Sequence, residues 1–394
     1  MRRLLITYEK IIPTISLTYE LFHRKHFLDQ GMIVSFKNVR EVTKEDLKNN
    51  DAIYLARPND VISAKLAKQA QKSGLFVMTF CDDDLFHLPK GLPNIPYRKR
   101  MLKKCLINSH IFITNSAFFA KQRYELTIDK RYFLINTIVD SKEMVTHVDN
   151  EKVKFLYAGS VTHKPLFNKF LGPIFEKFMK EYGSKVSFTF IGVHPDVSEY
   201  QKYGEINFYP SMSLDNYRKF VKDNNFDYGV APLISDNFTK CKYFNKYLEY
   251  SLSGIVGIFS NTEPYSPVIN NGINGYLVND DPEEWYNALK VAVNQYSKRK
   301  EIVATAQEDI RNNYSSKKIF SSLFENIPEL LNHDRGNKKV YGLGLIKLNY
   351  RIHRLFDITY LLLYHLFSKG PRGLIKQIKL HQQESKANAV LEEK

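Results

Sequence analysis

What most constrains this chain is a rhythm: short runs of Val, Ile, Leu and aromatic residues alternate with segments of helical periodicity, and after one interruption the rhythm starts again. In the first part strands are expected at Leu4 to Thr7, Met32 to Phe36, Ala52 to Ala56, Leu75 to Phe80, Ile111 to Thr114 and Tyr132 to Ile135. Helices are expected at Leu17 to Leu28, Asp60 to Lys72, Tyr97 to Ile107 and Ser116 to Tyr124. Apolar runs this short, each followed by a helix, predict parallel strands buried on both faces.

Around Val139 to Lys152 the pattern gives way to a polar segment, SKEMVTHVDNEK, and then resumes. Strands follow at Val153 to Tyr157, Val186 to Ile191, Tyr228 to Ala231, Ile255 to Phe259 and Tyr276 to Val278. Helices are expected at Phe167 to Tyr182, Leu214 to Asp223, Lys242 to Ser253, Pro282 to Gln295 and Ser297 to Asn313. A chain of 394 residues is long for one core, so the expected architecture is α/β, with two Rossmann-like domains whose parallel sheets face a central cleft. The domains are placed at 1–145 and 146–325, followed by a basic, amphipathic helical tail at 326–394 whose end, SKANAVLEEK, is expected to be disordered.

The formal charge of +15 calls for an anionic partner. The 27 Phe and 25 Tyr fall mostly in strand-like runs with Ile, Leu and Val, which assigns them to cores rather than to base stacking. With no zinc-finger spacing, RNP-like segment or basic zipper, no nucleic-acid partner is expected. Cys81, Cys105 and Cys241 lie far apart without CxxC pairing, which speaks for a reducing compartment and against a disulfide framework or structural zinc. The N-terminal apolar run is interrupted by Glu9, Lys10 and Pro13 and reads as a strand rather than a signal peptide. No run reaches membrane-spanning length, so a soluble or peripheral protein is expected.

Two segments carry the candidate chemistry. In KYFNKYLEYSLSGIVGIFS, a helix over Lys242 to Ser253 would place Lys242, Lys246 and Glu249 on one face, and Phe244, Leu248 and Leu252 on another. Gly254 would end it before a buried strand. A cationic helix start beside a parallel strand end suits a phosphate, and a carboxylate one turn deeper can accept hydrogen bonds from a ribose diol. The loop AGSVTHKP, Ala158 to Pro165, follows the first strand of the second domain. Gly159 and Ser160 permit close approach of a phosphate, with His163 and Lys164 as donors; a plain tight turn is the competing explanation.

These segments resemble the nucleotide-sugar site of GT-B glycosyltransferases of the GT4 type, in which a glutamate followed by small residues, Gly and Ile/Val holds the donor nucleoside. Glu249 matches that glutamate, while the family's earlier acid, eight residues before, is Cys241 here. GSVTHK, the Lys242/Lys246/Glu249 helix and Trp285 resemble a polysaccharide-building branch. NTIVD (Asn136 to Asp140) is similar to the segment that closes the family's first domain, and NGINGYLV (Asn271 to Val278) to its glycine-punctuated strand. The resemblance implies donor binding by Gly159, Ser160, His163, Lys164, Asn245 and Glu249, with Lys242 and Lys246 neutralising the departing diphosphate. It also implies retention of anomeric configuration and no metal or other cofactor, the nucleotide-sugar being a substrate.

Asp82, Asp83 and Asp84 follow a strand. Asp82-x-Asp84 formally matches the metal-holding DxD of GT-A enzymes, but the nucleotide motif here lies in a second domain; the segment also resembles the DD-L/F segments at this strand end in GT4 enzymes, which implies that Asp82 and Asp83 orient the acceptor hydroxyl or donor sugar. An N-cap with solvated acids is the alternative. Arg98, Lys99, Arg100, Lys103 and Lys104 make Tyr97 to Ile107 a basic amphipathic helix suited to an anionic membrane, and Arg351 and Arg354 join them from the tail. A solvated face, or packing of the tail on the first domain or another subunit, would account for them equally. The expectation is therefore a cytoplasmic enzyme, peripheral on the inner face of the plasma membrane. It would move a sugar from a nucleotide diphosphate to a lipid-linked or polysaccharide acceptor in capsule, exopolysaccharide or other cell-surface glycan synthesis. The alternatives are a nucleotide-sugar 2-epimerase of the same fold and a catalytically degenerate GT-B partner subunit.

Overall fold

The computed structural model describes residues 1–10, 15, 25–88, 95–122, 131–137, 144–145, 148–336, 338–342, 344 and 346–392. It contains two six-stranded, all-parallel sheets. The first comprises β1 (Arg2–Tyr8), β2 (Met32–Asn38), β3 (Ala52–Ala56), β4 (Phe76–Phe80), β5 (Ile111–Thr114) and β6 (Arg131–Leu134), in the order β2-β1-β3-β4-β5-β6. The second comprises β7 (Val153–Ala158), β8 (Val186–Ile191), β9 (Glu205–Tyr209), β10 (Tyr228–Ala231), β11 (Val256–Ser260) and β12 (Tyr276–Val278), in the order β12-β11-β10-β7-β8-β9. The chain divides into two compact units, Met1–Ile135 with Leu323–Lys394, and Asn136–Ser322.

In the first unit every residue of β3 and β4 is buried, as continuous apolar runs require when both faces of a sheet are covered. Helix α1 (Val61–Lys72) packs Ile62, Leu66 and Ala70 into the core, and Asp60 caps it by accepting from the amides of Ile62 (2.8 Å) and Ser63 (2.9 Å). Helix α2 (Pro96–Ile107) lies beside α1 and buries Leu102, Cys105 and Leu106. After Ser322 the chain returns to this unit. Arg2 donates to the carbonyls of Leu331 and His333, Arg335 to those of Ser73 and Asn50, and the final helix, Ile346–Glu392, packs on α1. The described residues of 326–392 thus belong to the first unit, and the helical backbone continues to Glu392 across a break at Gly370 (φ 67°, ψ 179°).

The second unit's core is built from stacked aromatics. Phe155 stacks on Phe188 at 4.8 Å and on Tyr228 at 5.5 Å, and Phe190 stacks on Phe208 at 5.4 Å. The many Phe and Tyr of these strands are core residues. The helix expected over Phe167 to Tyr182 is two helices, α3 (Lys164–Phe170) and Gly172–Tyr182, because Pro173 has no amide hydrogen and suits the start of a new helix. Strand β9 has no counterpart in the sequence-based expectations. It is an edge strand in which Ile206 is buried while Glu205 is exposed, so its apolar signal is half that of a central strand.

Candidate functional site

Loop 159–163 leaves β7 at its C-terminal end. Gly159 donates its amide to the Ile191 carbonyl (3.0 Å), so it supplies space rather than a free donor. A Cβ at Gly159 would stand 2.6 Å from Cγ of His163, and one at Gly192 (φ +72°) would stand 2.4 Å from the Gly159 carbonyl oxygen. Two backbone segments and an imidazole therefore meet where only glycines fit. His163 donates its amide to the Ser160 carbonyl (2.9 Å), and its Nδ1 lies 3.3 Å from Ser160 Oγ. Lys164 opens α3 and pairs with the exposed Asp196 at 2.7 Å.

The helix carrying Lys246 and Glu249 is α4 (Asn245–Leu252), shorter than the expected Lys242 to Ser253. A separate short helix, Asn237–Lys240, capped by Asp236 and Thr239, comes first; Lys242 sits in the intervening turn and does not share the helical face. Its Nζ lies 4.8 Å from the Phe238 ring centroid. Asn245 is exposed at the first helical position, and Cys241 is fully buried. The helix ends as a glycine C-cap should. Gly254 (φ +69°) donates to the Ser251 carbonyl and Ile255 to that of Tyr250, which satisfies two terminal carbonyls before β11 begins at Val256.

Lys246 Nζ donates to Glu249 Oε2 at 2.9 Å and to Tyr217 Oη at 3.2 Å, and stands 4.8 Å from the Tyr217 ring centroid. Burial works against its charge, yet Glu249, Tyr217 and Tyr250 together hold the ammonium well above the usual lysine range. Burial first, then Lys246 and Lys242, push His163 below the ordinary histidine value. The structure thus brings the loop histidine and both lysines into one electrostatic neighbourhood within the second unit, a concentration of positive potential partly offset by Glu249. Asn274, buried in NGINGYLV, donates to Tyr247 Oη (3.0 Å) and to the Val268 carbonyl, so that segment clamps α4. Asn136 and Thr137 also reach this region, both bonding Tyr243 Oη; Ile138 to Asp140 of the expected NTIVD segment lie outside the described residues.

In the first unit, Asp82 and Asp83 both face Arg57, whose Nη1 is 2.6 and 3.1 Å from their oxygens. Arg57 follows β3 with φ +50°, a conformation that few non-glycine residues adopt. Asp84 is fully buried. Its Oδ1 accepts from the amides of Phe86 (2.9 Å) and His87 (3.2 Å), and its Oδ2 lies 2.6 Å from His87 Nδ1. This occupies the second acid of the DxD reading with local hydrogen bonds, and among the described residues no group of three or more metal-ligating side chains converges. The C-terminal ends of β3 and β4, where open α/β sheets bind ligands, therefore present a paired arginine, two carboxylates and a half-exposed imidazole.

Helix α2 differs from the basic surface helix expected. Arg98 turns inward, bonding Glu9 (2.9 and 3.1 Å), Asn59 (2.8 Å) and Asp357 of the final helix (2.6 and 3.2 Å). Arg100 and Lys104 are exposed, Lys99 and Lys103 are half-buried, and Arg351 and Arg354 are exposed on the final helix. Sequence reasoning overlooked Tyr217, Arg57 and the Asp84–His87 pair. Tyr217 and Arg57 meet their partners 29 and 25 residues away, and Asp84–His87 has the i,i+3 spacing of an ordinary turn.

No protein-family model matches this sequence, and no curated protein does. Solved structures do. Anabaena Alr3699/HepE in complex with UDP and glucose aligns at a TM-score of 0.60 and 14% identity, over 83% of this chain and 100% of that one. The lipopolysaccharide outer core galactosyltransferase WaaB aligns at 0.55 and 14%, over 83% and 99%. Sucrose-phosphate synthase from Thermosynechococcus elongatus aligns at 0.63 and 10%, over 84% and 99%. Two all-parallel six-stranded sheets, C-terminal helices returning to the first unit, and superposition over almost the whole of these neighbours make this chain a GT-B fold.

Proposed function

We propose that the chain is a glycosyltransferase of GT4-like type, which holds a nucleotide diphosphate sugar in its second unit. The sugar would pass, with retention and without a metal, to a lipid-linked or polysaccharide acceptor in cell-surface glycan synthesis. The enzyme would work on the cytoplasmic side as a peripheral protein of an anionic membrane. The observation that carries the reading is the grouping of Lys246, Glu249, Lys242 and His163 around the loop that leaves β7. The UDP seen with Anabaena HepE supports a nucleotide donor.

In this reading Glu249 accepts from the ribose hydroxyls, and the cations, with Ser160 and Lys164, meet the diphosphate. Negative charge grows on the leaving phosphate as the glycosidic bond breaks, so fixed cations lower the barrier more than they tighten the ground state. One well-placed cation contributes about 3 kcal/mol by the measure of a lost oxyanion donor. Asp82 and Asp83, held by Arg57, orient the acceptor hydroxyl or the donor sugar.

The test is a thermal-shift screen of UDP-, GDP- and dTDP-sugars, followed by calorimetry with the donor that raises the melting temperature. Glu249→Ala and Lys246→Ala are expected to lose donor binding while keeping the wild-type circular dichroism spectrum. Unchanged affinity in both variants would sink the site. Transfer in EDTA is expected at full rate, and strict manganese dependence would count against a metal-free mechanism.

A further inference from the structure

The final helix, α5 (Ile346–Glu392), is two-faced. Tyr350, Asp357 and His365 recur at seven- and eight-residue spacing and are buried against the first unit. Asp357 accepts from Tyr97 Oη and Arg98, Tyr350 packs against Arg40, and His353 lies 5.0 Å from the Tyr97 ring. On the opposite side Ile352, Leu355, Phe356, Leu363, Leu366 and Phe367 recur at three- and four-residue spacing and are exposed, Phe367 at 83%, Leu355 at 65% and Phe356 at 63%. Isolated exposed leucines are ordinary; an apolar stripe along a helix of about 36 Å, the length from Ile346 to Gly370, is not.

The charges around the stripe choose its occupant. From Ile346 to Leu380 the one acidic residue is Asp357, which faces inward to Arg98. Arg351 is exposed beside the stripe, and Arg372 is exposed just past the break at Gly370; Arg354, one turn after Tyr350, bonds that residue on the packed side. A second copy docked stripe to stripe would set Arg351 beside its own counterpart or, reversed, beside Arg372, cation against cation in either direction. Among the described residues no helix is long and apolar enough to cross a membrane, so a helix lying in the interface is the geometry that this length and charge allow.

We infer that this face of α5 rests in the headgroup region of an anionic lipid bilayer, with Phe356 and Phe367 sunk among the acyl chains and Arg351 and Arg372 at the phosphates. This deepens the membrane association in the proposed function by assigning it to one surface, and it places that surface on α5 rather than on Arg98 of α2. It depends on the helix alone and not on the donor site.

The full chain should float with phosphatidylcholine vesicles containing phosphatidylglycerol, and much less with phosphatidylcholine alone. Phe356→Asp with Phe367→Asp should cut the bound fraction by about tenfold or more at any salt concentration. Arg351→Glu should cut it most at low salt, where charge is least screened. All three positions are exposed, and melting temperature and donor calorimetry on the same variants are expected to match wild type. A wild-type protein that ignores anionic vesicles, or a double-Phe variant that floats as well as wild type, overturns the inference. A wild-type dimer in sedimentation that the double-Phe change converts to monomer, without vesicle binding, assigns the face to a second copy and overturns it as well. Flotation without any nucleotide-sugar binding would remove the glycosyltransferase reading and leave this surface standing.

Discussion

Replacing Arg98 with Met tests how the C-terminal helix is held. The side chain is 22% exposed and makes five contacts, two each to Glu9 and Asp357, whose side chains are 10% and 9% exposed, and one to Asn59. Met keeps much of the packing and leaves two nearly buried carboxylates without their shared countercharge. Breaking a buried pair this way costs about 3–5 kcal/mol; because Arg98 retains some solvent, the lower end, about 3 kcal/mol at neutral pH, is the expected loss. The pH dependence makes the test specific. Burial pushes the Glu9 carboxyl up, but Arg98 overcomes it and holds the folded value below the ordinary 4.5. A lowered carboxylate contributes stability that is fully present above the unfolded value and is lost as pH falls through the folded one. Without Arg98 only Lys10 and Tyr350, the smaller of the opposing influences, work against burial, and Glu9 in the variant should protonate above its ordinary value, so that acidification relieves the variant while it weakens the wild type. Urea unfolding of the first unit at about pH 7 and about pH 4 should show the gap between the two proteins shrinking by at least about 1 kcal/mol. A gap that is the same at both pH values would refute this account of Arg98.

Other outcomes follow from the same geometry. His163 is held below its usual value by burial and by Lys246 and Lys242, and a diphosphate arriving beside it must raise that value. Calorimetry in buffers of different ionisation enthalpy, at a pH just below the ordinary histidine value, should show proton uptake on donor binding, and His163→Gln should abolish it. Asp82→Asn, which leaves Arg57 with Asp83, should lower transfer by about tenfold or more; unchanged donor affinity would assign Asp82 to the acceptor hydroxyl and a fall to the donor sugar, while undiminished transfer would move it out of its assigned role. Asn274→Ala removes the clamp on Tyr247 and should cost about 1–3 kcal/mol of second-unit stability, read as a lower melting temperature.

The fold was legible where burial on both faces writes an unbroken apolar run. Ala52–Ala56, Ile111–Thr114, Val186–Ile191 and Tyr228–Ala231, buried throughout, have the bounds that the sequence predicts, and so does the edge strand Tyr276–Val278, whose three residues are all apolar or aromatic. Strand β9 was not legible, because an edge strand that opens on Glu205 and has Asn207 between its apolar residues carries half the signal. Periodicity extended the Lys246 helix back to Lys242; the competing cap at Asp236 starts and ends a separate turn first. Charge was the least legible property. Arg98 sits in a run of five cations and reads as surface, and what turns it inward is Asp357, 259 residues further along the chain. Arg57 offers no local signal at all, since its role depends on two adjacent strand ends brought together by the parallel register of β3 and β4.

The return of the chain to the first unit has a consequence for how the protein is made. The first six strands leave the ribosome early, but Glu9 and Arg98 must wait for Asp357, and Arg2 for Leu331 and His333, until the whole of Asn136–Ser322 has been synthesised. The second unit, one continuous stretch, has no such wait. Although synthesis runs from the N-terminus, the later-made unit is then the one able to finish folding first, and the sides of α1 and α2 that the last helix covers stay exposed to chaperones and proteases until it docks.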